Sequence, residues 1–216
     1  MNFGKSIRKL AASRAGVASG VAVWAVALGI GLVAMARYEV TPGAPAAAPV
    51  SWPPGTALTR GGDRPVVVMF VHPRCPCTRA SIARFGEVMA GADGSVDAYV
   101  ACYVPSNADK AWEESETWRT AASIPGVRVV RDSDGREARR FGASTSGQVF
   151  VFDAAGALLF EGGITAGRGQ AGDNAWSAAV AALVRGREAG VSTAPVFGCA
   201  LLAGAPCSRC GEEGTP

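Results

Sequence analysis

Residues 65–90 read PVVVMFVHPRCPCTRASIARFGEVMA, and the fold turns on this stretch. It opens on an apolar, β-branched run, Pro65 to His72, of the length of a buried strand. From Thr78 to Ala90 the period changes. Ile82, Phe85 and Met89 recur at spacings of three and four, with Arg79, Arg84 and Glu87 left for solvent, as on an amphipathic helix. Between strand and helix stand the two thiols of Cys75-Pro76-Cys77-Thr78. A thiol there meets unpaired backbone N–H groups and the positive end of the helix dipole, which favour thiolate over thiol. Arg74 and Arg79 add positive charge nearby, so the sequence predicts a Cys75 pKa lowered from about 8.5 into the roughly 3.5–7.5 range of activated cysteines.

Downstream, Val96 to Val104 is β-rich, Asp109 to Ser123 reads as one helix with acids in its first turns, and Val127 to Val130 is a short strand. A helical turn around Gly135 to Phe141 precedes two strands, Gln148 to Asp153 and Ala157 to Glu161, about a short Ala-Gly loop, which is a hairpin pattern. A last amphipathic helix spans Asn174 to Arg187. The order β-α-β-α-β-(α)-β-β-α specifies an α/β protein: a mixed sheet with helices on both faces and parallel first strands.

Upstream, Ala15 to Ala36 are 22 consecutive residues without a charge, enough for a helix to cross a hydrocarbon core of about 30 Å. Four basic residues precede this segment and only Arg37 follows at once, so the positive-inside bias leaves the N-terminus in the cytoplasm and exports the rest. Ala34-Met35-Ala36 resembles a cleavage site, but the apolar run exceeds the 7–15 residues usual for a signal peptide core, which favours a retained anchor. Residues 40–65, rich in Pro, Ala and Gly without apolar period, read as an extended tether rather than a packed element. The net charge of +3 belongs to the anchor: from residue 38 onward 18 acidic side chains face 16 basic ones. No basic stripe with interleaved aromatics marks that body, so it has no nucleic-acid signature.

In an exported domain six cysteines raise the question of disulfides, and spacing alone leaves fifteen complete pairings open. Cys102, mid-strand, reads as a small buried hydrophobe. Cys207-Ser208-Arg209-Cys210 lies in a Gly-rich tail and reads as a structural or idle pair. Cys199, beside the apolar Val196 and Phe197, is a candidate resolving thiol for Cys75 or Cys77. A rival reading takes His72, Cys75 and Cys77 as ligands for Cu(I) or another soft metal. Gly167 to Gly172 spells G-x-G-x-x-G, yet no following strand or acid completes a dinucleotide site. That loop reads as a rim, with Asp173 or Asn174 capping the last helix and Arg168 near the cysteines or in solvent.

The segments HPRCPCTRAS (72–81) and TSGQVFVFDAAGALLFEGGIT (145–165) resemble the thioredoxin-like superfamily, and are similar to its membrane-anchored RedB-type members. The resemblance implies a thioredoxin-like mixed β-sheet flanked by helices over residues 65–187, and thiol-disulfide oxidoreductase activity without a cofactor. Its partners would be protein thiols or disulfides, or an upstream electron donor. It implies Cys75 as nucleophile, with Cys77 assisting and His72, Arg74 and Thr78 tuning it. Two departures stand out: Thr78 occupies the place of the family's resolving cysteine, and Gly147 that of its cis-proline. Without the proline ring, the face beside Cys75 is expected to be more open. The expected organisation is a cytoplasmic tail (1–14), a transmembrane signal anchor (15–36), a tether (37–64), the thioredoxin-like domain (65–187) on the periplasmic side, and a Cys-containing tail (188–216).

Overall fold

The computed structural model describes residues 3–44, 47–92 and 94–202, so Cys207 and Cys210 lie outside the described residues. It divides into two units after Glu39. The first is a single helix, α1 (Phe3–Glu39). Within it Gly16–Glu39 is long and apolar enough to cross a membrane, with a mean hydropathy of 2.2, and it extends past the 15–36 read from the sequence.

The second unit is built on five strands: β1 (Val66–Val71), β2 (Asp97–Val104), β3 (Val127–Ser133), β4 (Gln148–Phe152) and β5 (Leu158–Gly162). They lie in the order β3-β2-β1-β4-β5. β1 runs parallel to β2 and antiparallel to β4, so the sheet is mixed, and β2 runs parallel to β3. All six β1 residues are buried, because helices and loops cover both faces of the central strand; hence its unbroken apolar sequence. On one face Val67, Met69 and Val71 pack with Ile82 and Phe85 of α2 (Thr78–Ala90) and Val180 and Leu183 of α5 (Ala175–Leu183). On the other, Val66, Val68 and Phe70 meet Tyr99, Phe150 and Phe141, the last from α4 (Arg136–Phe141). Each of these large side chains contributes about 1.5–3 kcal/mol by leaving water.

The structure corrects three readings. Asp109 to Ser123 is not one helix: a single 3₁₀ turn, Lys110–Trp112, precedes α3 (Glu116–Ala122). Ser115 is extended and its hydroxyl accepts from Trp118 N at 3.2 Å, while Asp109 caps the earlier turn through Ala111 N at 3.1 Å. These side chains offer the backbone local partners that compete with helix continuation. β3 runs on to Ser133, bringing Asp132 to accept from the N–H groups of Glu137 and Ala138 at the start of α4. The supposed tether is packed. Trp52 N donates to Gly156 O at 2.7 Å, its ring stands edge-on to Phe141 and Phe152, Leu58 is buried, and Thr56 bonds Glu137. An irregular strap held by single anchors has no period to betray it.

Candidate active site

The strand β1 delivers His72 to its C-terminal end, and the chain then turns sharply: Cys75 N donates to His72 O at 3.0 Å and Thr78 N to Cys75 O at 3.1 Å. α3 pins this turn, because the Thr117 hydroxyl donates to Pro73 O. Cys77 is the cap residue of α2, although its side chain makes no capping bond. Opposite the turn, the residues before β4 are held close: Gly147 N donates to Phe70 O at 2.8 Å. Gly147 has a φ of +93° and a Cβ there would press on Ser81 Oγ, so the position requires glycine. Ser146 joins the two sides, since its hydroxyl accepts from His72 N at 2.8 Å and lies 2.7 Å from the Thr78 hydroxyl.

A third segment closes over them. Residues 196–201 form an arm whose last three residues run antiparallel to residues 144–146: Ser146 N donates to Cys199 O, Leu201 N donates to Ser144 O, and Thr145 bridges Ala200. Leu201 is buried in the sheet's second face, and Phe197 packs on Trp176 of α5. This arm sets Cys199 Sγ 3.0 Å from Cys75 Sγ. The sulfurs of Cys75, Cys77 and Cys199 all lie within 4.8 Å of one another. Gly147 therefore does not leave the face beside Cys75 open; the arm covers it, and Cys75 is only 3% exposed. Arg168 fastens the arm from outside, donating to Gly198 O and to Thr41 O, and it also touches the Cys77 thiol.

The charge distribution follows from these contacts. Hydrogen bonds from the Cys199 thiol, then from Cys77, with Thr78 and the Cys199 backbone, hold the Cys75 thiol far below its ordinary range against the cost of burial. The same sharing pushes the proton-bearing Cys199 well up, and Cys77 is also raised. The arginines contribute otherwise than the sequence suggests: Arg79 pairs with Glu116, and Arg74 lies over the Trp112 ring at 4.4 Å. His72 stacks on Tyr103, stands edge-on to Trp112, and accepts from Arg74 N through Nδ1. Burial lowers its pKa, which the Cys75 thiolate partly offsets. Among the described residues the converging set is thus three cysteines, without His72, which corrects the expected metal-ligand trio. Cys102 is fully buried in β2, and desolvation pushes its thiol far up.

The structure brings Cys75, Cys77, Thr78 and Cys199 together; the sequence marks the first three by contiguity, leaves Cys199 as one open choice, and gives Ser146 no role. No local signal marks Ser146, because its importance comes from two backbone turns meeting across the sheet end. In the rim loop, Asn174 caps α5 through Trp176 N and Ser177 N.

A five-stranded mixed sheet with this order, and a Cys-containing turn leading from the central strand into α2, is a thioredoxin-like fold, with one apolar N-terminal helix ahead of it. The chain matches no protein-family model and no curated protein. Among solved structures it is similar to an uncharacterized conserved protein from Geobacillus kaustophilus, at 17% identity, with 76% of this chain and 89% of that one covered and a TM-score of 0.51. It is also similar to a hypothetical protein from Sinorhizobium meliloti, at 25% identity over 76% and 94% of the two chains with a TM-score of 0.47. A third similarity is to a thioredoxin-like protein solved in its oxidized form, at 18% identity over 69% and 97% with a TM-score of 0.45.

Proposed function

We propose that this chain is a membrane-anchored thiol-disulfide oxidoreductase in which Cys75 attacks and Cys199 resolves. The observation that carries this reading is the 3.0 Å approach of Cys199 Sγ to Cys75 Sγ, which supplies the resolving thiol that Thr78 cannot. In the first step the Cys75 thiolate attacks a substrate disulfide R–S–S–R′. A Cys75–S–S–R bond forms, the substrate S–S bond breaks, and R′S⁻ leaves and takes a proton from solvent. In the second step Cys199 loses its proton and attacks Cys75 Sγ, releasing RS⁻ and leaving a Cys75–Cys199 disulfide. The substrate gains two electrons from the protein and two protons, one from solvent and one given up by Cys199. A dithiol reductant would return the protein to its starting state, and the same steps run backward oxidise a substrate dithiol.

Gly16–Glu39 supports the anchoring, and the basic residues preceding it support a cytoplasmic N-terminus and a periplasmic body. The RedB-type resemblance of the sequence points the same way. The test is turnover of a disulfide-bonded peptide: Cys75→Ser abolishes it, while Cys199→Ser stalls it with the substrate bonded to Cys75. Unaltered turnover in Cys199→Ser would overturn the assignment of the resolving thiol.

The three converging sulfurs also favour a second reading, a trigonal thiolate site for Cu(I). Anaerobic Cu(I) titration discriminates: binding lost in Cys199→Ser and kept in His72→Ala supports it, and the reverse pattern contradicts it.

A further inference from the structure

Cys75 is 3% exposed, so no protein disulfide reaches its sulfur while the chain keeps this arrangement. What covers it is the arm of residues 196–201, whose last three residues pair with residues 144–146 through main-chain bonds: Ser146 N to Cys199 O at 2.9 Å and Leu201 N to Ser144 O at 2.9 Å. Main-chain pairing of this kind is indifferent to most side chains, so any extended peptide could replace the arm. One position is not indifferent. A Cβ on Gly198 would collide with Ser146 O and crowd Thr145, so the residue before the cysteine must be glycine for the segment to seat. At this end Arg168 holds Gly198 O and Gly43 N holds Val196 O, while Val196 and Phe197 are buried.

We propose that residues 196–201 are a gate, a tethered stand-in for an extended polypeptide carrying a Gly-Cys pair, and that a substrate cysteine reaches Cys75 only by displacing them. The proposal rests on the reading of Cys75 as the attacking thiol. The gate lowers the apparent reactivity toward external disulfides by the fraction of time it is open, and it presents the resolving thiol when it returns.

The probe is a peptide copying residues 197–201, Phe-Gly-Cys-Ala-Leu, whose cysteine is disulfide-linked to thionitrobenzoate. Attack by the Cys75 thiolate forms the Cys75–peptide S–S bond, breaks the peptide–thionitrobenzoate bond, and releases the coloured thionitrobenzoate anion with the electron pair. The expected result is slow release by the reduced full chain and release about tenfold faster or more in Gly198→Ala, whose own arm cannot seat. Arg168→Ala, which adds no atoms, gives an intermediate acceleration. In Gly198→Ala the matching peptide with valine before its cysteine reacts more slowly than the glycine peptide. Amide exchange at Ser146 and Leu201 reports arm release independently of chemistry. Equal rates in the parent and Gly198→Ala, with those amides freed in the variant, would overturn the gate. Failure of the nucleophile reading looks different: release no faster than in Cys75→Ser, in every variant, with the arm free.

Discussion

The Cys75 thiolate is stabilised by groups that donate to it: Cys199 first, then Cys77, with Thr78 and the Cys199 backbone. Burial opposes this and loses, because several directed hydrogen bonds to one charge outweigh its desolvation. In the reduced parent chain, where Cys199 stays beside Cys75, the rate of Cys75 alkylation by a small reagent should therefore hold as pH falls from 8 to 5. Cys102 should remain unlabelled throughout, with mass spectrometry of the labelled peptides as the check. A rate that drops in step with an ordinary thiol of pKa about 8.5 would contradict the thiolate assignment. His72 provides a second readout as the chain's single histidine. Burial places its NMR titration midpoint below about 6.5, and Cys75→Ser should move it lower still, because the thiolate's raising influence is then gone. Cys75 was legible in the sequence because strand, thiol and helix are contiguous there. Cys199 was legible only as a candidate: 124 residues separate it from Cys75, and no local pattern fixes which cysteines meet.

The elements around the site explain what sequence could and could not foresee. β1 and α2 carry strong local patterns: α2 has the bounds read from the sequence, and β1 lies one residue inside the expected Pro65–His72 at each end. The break before α3 and the strap around Trp52 depend on a single cap and a few ring contacts, which leave no periodic trace. Trp52→Ala should lower unfolding stability by about 3 kcal/mol in urea denaturation, the scale for truncating a packed aromatic. A loss under about 0.5 kcal/mol would restore the free-tether reading. In the loop before β4, Gly147→Ala must adopt a positive φ and press on Ser81. About 1–2 kcal/mol of destabilisation follows from the backbone alone, and the same denaturation series measures it.

At the scale of the whole molecule, one apolar helix and one thioredoxin-like body share a chain whose first 37 residues carry five basic and no acidic side chains and whose body is slightly acidic. The body's stability should report its redox state. Cys77, Cys102 and Cys199 are all pushed above the ordinary thiol range, so above about pH 8.5 the folded chain keeps protons that the unfolded chain has shed. Stability of the reduced protein then falls as pH rises from about 8.5 to 10. Cys75 acts in the opposite sense, and its contribution levels off about a unit above the ordinary thiol pKa of about 8.5, so it offsets only the start of this decline. Oxidation removes Cys75 and Cys199 from titration, so the decline should be shallower in the oxidised form, as denaturation of both forms across this range will measure. The most direct measurement is disulfide mapping by mass spectrometry after mild oxidation of the reduced full chain. A Cys75–Cys199 bond is expected, with Cys77 and Cys102 left as thiols. A Cys75–Cys77 bond, or Cys199 remaining free while Cys75 is oxidised, would contradict it.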